Sequence, residues 1–148
     1  MIGVLRDWPI WLRAFAVSLR GELLRHPRLI PLIATRPVMN LGSLRSVEKV
    51  VAALCKAELN PLRAFHIINT VTTFVTGHTL AEAGSTPGHE DFAEELGNRL
   101  DHNEFPCISE AIRRGLGSSE DHQARFEFGL DALFAGFVKT ACKYPNIV

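Results

Sequence analysis

The chain has 148 residues, with 16 basic and 16 acidic side chains, a formal net charge of +0 and 47% apolar residues. That length suits one domain with a buried core, and the composition excludes a disordered chain and a basic nucleic-acid-binding module. The 3 cysteines, Cys55, Cys107 and Cys142, form no C-x-x-C pair and fit a reducing cytoplasm better than a disulfide framework.

The opening M-I-G-V-L-R-D-W-P lacks the apolar core of a signal peptide. Asp7 before Trp8-Pro9 starts a predicted helix reaching Arg25, with Leu12, Phe15 or Ala16, Leu19 and Leu23 as its stripe. Arg25 and His26 close it with positive charge, which the negative helix end favours. Pro27 opens a short helix that Pro31 should bend or tighten to 3₁₀, and Arg36-Pro37 ends it. After the loop V-M-N-L-G-S, an amphipathic helix capped near Ser43 turns Leu44, Val47, Val51 and Leu54 inward.

The stretch from Asn60 to Gly84 organises the chain. Asn60 can cap a helix, Pro61 suits its first position, and no charge occurs between Arg63 and Glu82. Its β-branched residues favour strands one by one, but the run is far longer than a strand and holds no turn residue before Gly77. Asn69, His66, His78 and the threonines argue against a membrane span. The expectation is a buried helix with apolar rows through Phe65, Ile68 and Val75 and through Ile67, Val71 and Phe74. A helix with no charged face has no side for water, so one face should meet the chain's own core and the other a second subunit. The preceding helix, joined by almost no linker, should run antiparallel to it.

Gly84-Ser85-Thr86-Pro87-Gly88 reads as the most flexible stretch. Short helices follow, one spaced by Phe92, Leu96 and Leu100 and one from Pro106 to Leu116. The last helix starts at Ser118 or Ser119 and stops at Tyr144-Pro145. Phe126, Leu130, Leu133 and Phe137 make its stripe. A second row, Gly129, Ala132, Gly136 and Thr140, is small and suggests close approach of another backbone. No stretch reads as a strand.

T-R-P at Thr35 to Pro37, L-C-K-A-E-L-N, F-V-T-G at Phe74 to Gly77 and F-E-F-G-L-D-A-L-F-A-G-F at Phe126 to Phe137 resemble the C-terminal domain of the tetracycline-repressor (TetR) family. The resemblance covers about Asp7 to Val138. It implies an all-α antiparallel domain, spanning residues 1–148, that binds a small effector and dimerises through a four-helix bundle. The two helices given by each subunit would be the central and last ones, with Phe126, Gly129, Ala132, Leu133, Gly136 and Phe137 at the interface. Family members begin with a helix-turn-helix DNA-binding unit, and no basic helix pair precedes Trp8. The resemblance therefore implies the sensing half of a transcription regulator that contacts DNA only through heads missing here. The alternative is a free-standing dimeric helical protein that binds a protein or ligand without a DNA role.

The family's type member holds a drug–magnesium complex with a histidine just before T-R-P and a glutamate in the central helix. Leu32 and Ala81 stand there in this sequence, with Glu82 one place off, and its polar drug contacts fall on Ala14, Ser18 and Val50. Tetracycline does not suit these residues. The expected pocket is lined by Ala14, Ser18, Leu32, Thr35, Val50, Leu54, Phe65, Ile68, Asn69 and Thr72. None is charged, so the expected effector is neutral and largely apolar or aromatic, oriented by Asn69 and Thr35, with no metal and no cofactor.

Three sharper readings compete with plainer ones. His78 and Glu82 have metal-ligand spacing but no third ligand in register, so a hydrogen-bonded histidine explains them. Cys55 as a hydrolase nucleophile lacks an oxyanion-hole glycine turn, and a small core residue explains it. Gly88-His89-Glu90-Asp91 reads as a solvated loop entering an acidic helix start.

Overall fold

A computed structural model describes residues 7–35, 41–84 and 92–143, excluding the side chains of residues 35, 92–94 and 141–143. Helix α1 spans Trp8–Arg25, a 3₁₀ turn at Pro27–Leu29 runs into α2 at Ile30–Thr35, and α3 spans Leu41–Lys56. Then come α4 at Pro61–Ala83, α5 at Phe92–Arg99, α6 at Pro106–Arg113 and α7 at Ser119–Lys143. No strand occurs among the described residues. The expectations at Arg36-Pro37, Ser85 to Asp91 and Tyr144-Pro145 lie outside them.

Helix α4 is the hub: α1, α2, α3 and α7 all pack against it. Asn60 Oδ1 accepts the Arg63 N–H at 2.8 Å, and Pro61 fills the first turn where no N–H is needed. Ala64, Ile67, Val71 and Val75 are buried on one face with Leu12, Ile30, Leu54, Phe126 and Leu130 from its neighbours. Each of these larger apolar side chains stabilises the fold by about 1.5–3 kcal/mol, which overrides the strand preference of the β-branched residues. Thr70 and Thr79 donate to the His66 and Val75 carbonyls at 2.7 and 2.6 Å, so those hydroxyls are satisfied within the helix.

Ala16, not Phe15, completes the α1 stripe, and the 3₁₀ turn ahead of Pro31 matches the expected bend. Four details differ from the sequence reading. Leu44, expected inward, is 48% exposed. The chain is already helical at Leu41, ahead of the expected cap near Ser43. Phe65 is 40% exposed, because the buried row of α4 passes through Ala64 instead. Helix α6 ends at Arg113 rather than Leu116, since Gly115 (φ +99°) and Gly117 (φ +85°) turn the chain through the left-handed region.

Candidate functional site

A groove of about 250 Å³ lies between α2 and α4, lined by Ile33, Ala34, Thr72, Thr73, Thr76, Gly77 and Leu80. Helix α2, entered through the 3₁₀ turn, packs on α4, while Leu32 and Ile33 stay exposed rather than joining the core. The groove has apolar walls and threonine hydroxyls, a combination that suits a small molecule.

The expected pocket residues do not all gather there. Thr72 lines the groove, and Ile68 and Phe65 stand one and two turns earlier along α4. Val50 is half-buried on α3, while Leu54 is fully buried and belongs to the core. Ala14 and Ser18 are exposed, on the side of α1 opposite Leu12, Ala16 and Leu23. Leu32 is exposed on α2, Asn69 is exposed on α4, and the side chain of Thr35 is outside the described set. Spacing missed Ile33, Ala34 and Thr76 because the packing of α2 on α4, a tertiary contact, decides which residues line the groove.

A second centre joins α1, α4 and α7. Arg20 grips both oxygens of Glu82, Nη2 to Oε1 at 2.7 Å and Nε to Oε2 at 2.9 Å, and Nη1 donates to Gln123 Oε1 at 2.5 Å. Its guanidinium also lies 4.7 Å from the Phe126 ring centroid. Burial pushes the Glu82 carboxyl up, but the Arg20 hydrogen bonds and charge reverse this and hold it below its ordinary value. Beside it, burial pushes the His78 imidazole down, Arg20 and Arg125 push the same way, and Glu82 opposes them. No group of three metal-ligating side chains forms among the described residues. Glu82 is committed to Arg20, which explains the His78–Glu82 spacing without an ion. Cys55 is half-buried against the core cluster.

A family description, tetracyclin repressor-like C-terminal domain, matches residues 5–141. The chain belongs to this family. It is 29% identical over 138 residues to the tetracycline repressor protein class G of Vibrio anguillarum, covering 88% of this chain and 60% of that protein. It is 30% identical over 140 residues to an HTH-type transcriptional regulator of Saccharopolyspora erythraea, covering 91% of this chain and 57% of that protein. This TetR-type domain thus spans about three fifths of its curated relatives. Among solved structures it resembles the Streptomyces coelicolor TetR family protein ActR in complex with actinorhodin, at TM-score 0.76 and 26% identity over 92% of this chain and 66% of that one. Apo ActR, at TM-score 0.73 and 24% identity, shares the fold, with 92% of this chain and 65% of that one covered.

The TetR-type helices α4 and α7 leave a groove of about 320 Å³ between them, lined by Arg63, His66, Ile67, Thr70, Ala132, Leu133, Gly136, Phe137 and Thr140. Of the expected interface residues, Ala132, Leu133, Gly136 and Phe137 line it, with Ala132 and Gly136 exposed. Phe126 is wholly buried, stacked on Phe74 at 5.7 Å, so its contacts lie within its own chain. Phe128, two residues on, is 76% exposed and escaped the sequence reading, which weighed only the stripe and the small row. No described helix is long and apolar enough to cross a membrane.

Proposed function

We propose that this chain is the effector-sensing and dimerisation domain of a TetR-type transcriptional regulator in the cytoplasm. The observation that carries the reading is the family match over residues 5–141. The role is binding rather than catalysis. A neutral, largely apolar or aromatic effector enters the α2–α4 groove and contacts Leu32, Ile33, Phe65, Ile68 and Thr72, with threonine hydroxyls as its polar partners. The apolar rim, with Leu32 and Ile33 45% and 44% exposed, supports this ligand class. So does the absence of charged groups from the groove lining, because an unpaired charge there would find no compensation.

Two copies pair through α4 and α7, with Ala132, Gly136 and the exposed Phe128 facing the partner across a two-fold axis. An effector that prefers one arrangement of α2 against α4 shifts the populations of two dimer states. In a regulator carrying helix-turn-helix heads, that shift changes their spacing on DNA. Thermal-shift screening of hydrophobic aromatic molecules beside divalent metals tests the sensing role. Stabilisation by an aromatic compound at stoichiometric occupancy supports it, and stabilisation by metal alone overturns it.

A further inference from the structure

One oxygen at the α1–α4–α7 junction has two claimants. Glu82 Oε2 accepts from Arg20 Nε at 2.9 Å, while His78 Nε2 stands 3.7 Å away, beyond hydrogen-bond reach. That nitrogen is buried and has no hydrogen-bond partner. The His78 ring is held by Phe74 and Phe126, with centroids at 5.8 and 5.3 Å, so it cannot swing out to water without unpacking two aromatic rings. Buried polar atoms are rarely left unpaired, and those that are call for an account.

We propose that His78 is a proton-operated release for the latch between α1 and the α4–α7 pair. A neutral imidazole leaves Glu82 to Arg20, and the two-point grip holds α1 in place. A proton on Nε2 turns that atom into a charged donor facing Oε2. Closing the gap from 3.7 Å to a hydrogen bond has to move Oε2, since the His78 ring is clamped between two aromatic rings, and that motion takes the carboxylate out of line with the two-point fork of Arg20.

The groups around His78 make the exchange costly for α1. Arg20 approaches from α1 and Glu82 from α4. From α7 come His122, its ring centroid 6.5 Å away, and Arg125, which bonds His122 Nδ1 at 2.7 Å and Asp121 at 3.1 Å. A new cation there faces two arginines, and both nearby carboxylates are already engaged, Glu82 by Arg20 and Asp121 by Arg125 and the Gly117 N–H. The low dielectric of the site amplifies the repulsion. Burial and the two arginines already push the imidazole below its ordinary value, against the opposing charge of Glu82. Among the described residues, hydrogen bonds from α1 to α7 come from Arg13 and Arg20, so loosening Arg20 removes one of two ties.

The chain carries its own reporter, because both of its 2 tryptophans, Trp8 and Trp11, lie on α1. The test requires no effector and is independent of the sensing role. Tryptophan emission is followed from about pH 7.5 to about pH 5, with helix content tracked by circular dichroism. Wild type should show a reversible emission shift with helix content kept. His78→Phe, which preserves a ring between Phe74 and Phe126, should lose the shift, and His122→Phe should keep it. No shift in wild type, its survival in His78→Phe, or its loss in His122→Phe alone overturns the proposal. If His78→Phe does not fold, the His78 imidazole proton resonance in wild type decides. A midpoint coinciding with the emission shift supports the latch, and a separate midpoint overturns it.

Discussion

Gly129 of α7 lies against the ring of Phe74 on α4: a methyl group placed on Gly129 falls 2.3 Å from Phe74 Cζ. Small residues on a helix face suggest a second backbone, but here the missing side chain makes room for an aromatic ring of the same chain. Phe74 in turn stacks on Phe126, so Gly129 sets the position of the α4–α7 aromatic cluster. Gly129→Ala should therefore destabilise the domain by about 1–2 kcal/mol, overpacking outweighing the roughly 1 kcal/mol gained in helix propensity. Urea denaturation measures this, and stabilisation of the variant would count against the close contact. Phe74→Leu in the Gly129→Ala background should recover part of the loss.

The helices were legible in the sequence because their signals are local. Asn60-Pro61 caps α4, Pro27 and Pro31 tighten the chain before α2, and the absence of charge between Arg63 and Glu82 marks α4 as the hub. The site was less legible. Ala14 and Ser18 were placed by correspondence with a relative, and the exposed face they occupy depends on how α1 rotates onto α4. Asn69 needs a partner only if buried, and it sits on the exposed side of α4, open to solvent. Glu82 gave no hint of its partner either, since Arg20 is far away in sequence and only the packing of α1 on α4 brings them together.

Self-association should depend on the open parts of α7. A side chain on Gly136 meets nothing within 4 Å in its own chain, so Gly136→Leu leaves the protomer intact while blocking close helix approach. Phe128→Ser removes an exposed ring that contributes nothing to the protomer core. Analytical ultracentrifugation should find wild type dimeric at micromolar concentration and both variants shifted toward monomer, with circular dichroism unchanged. A monomeric wild type would refute the proposed interface.

The Arg20–Glu82 pair, with side chains only 12% and 16% exposed, should be worth more than a surface ion pair. Glu82→Gln leaves a guanidinium poorly compensated and should cost about 3 kcal/mol in denaturant unfolding, whereas Arg20→Met with Glu82→Leu should recover much of it. The pH dependence has two parts of the same direction. His78 has a lowered folded value, so its share of stability is complete above its ordinary 6.5 and declines as pH falls toward the folded value. Glu82 is also lowered, so its share holds above its ordinary 4.5 and is lost as pH falls through the folded value. Melting temperatures of Glu82→Gln should therefore fall less than wild type on acidification below 4.5.

The effector prediction turns on threonine chemistry. Thr70 and Thr79 are engaged by the carbonyls one turn back, whereas Thr72, Thr73 and Thr76 line the groove beneath Ile33 and Ala34. A neutral aromatic ligand resting on the apolar walls needs a polar partner to fix its orientation, and these hydroxyls supply one. Thr72→Val keeps the shape and removes a hydrogen bond worth about 1 kcal/mol, so affinity for a compound found by thermal shift should weaken about fivefold. Ile33→Asp, which places a charge on the wall without a partner, should abolish binding with little change in stability, because Ile33 is exposed. Asn69→Leu, on the exposed side of α4, should leave affinity unchanged. Isothermal titration calorimetry on the three variants separates the possibilities. Binding sensitive to Asn69 but indifferent to Thr72 and Ile33 would move the effector out of the α2–α4 groove.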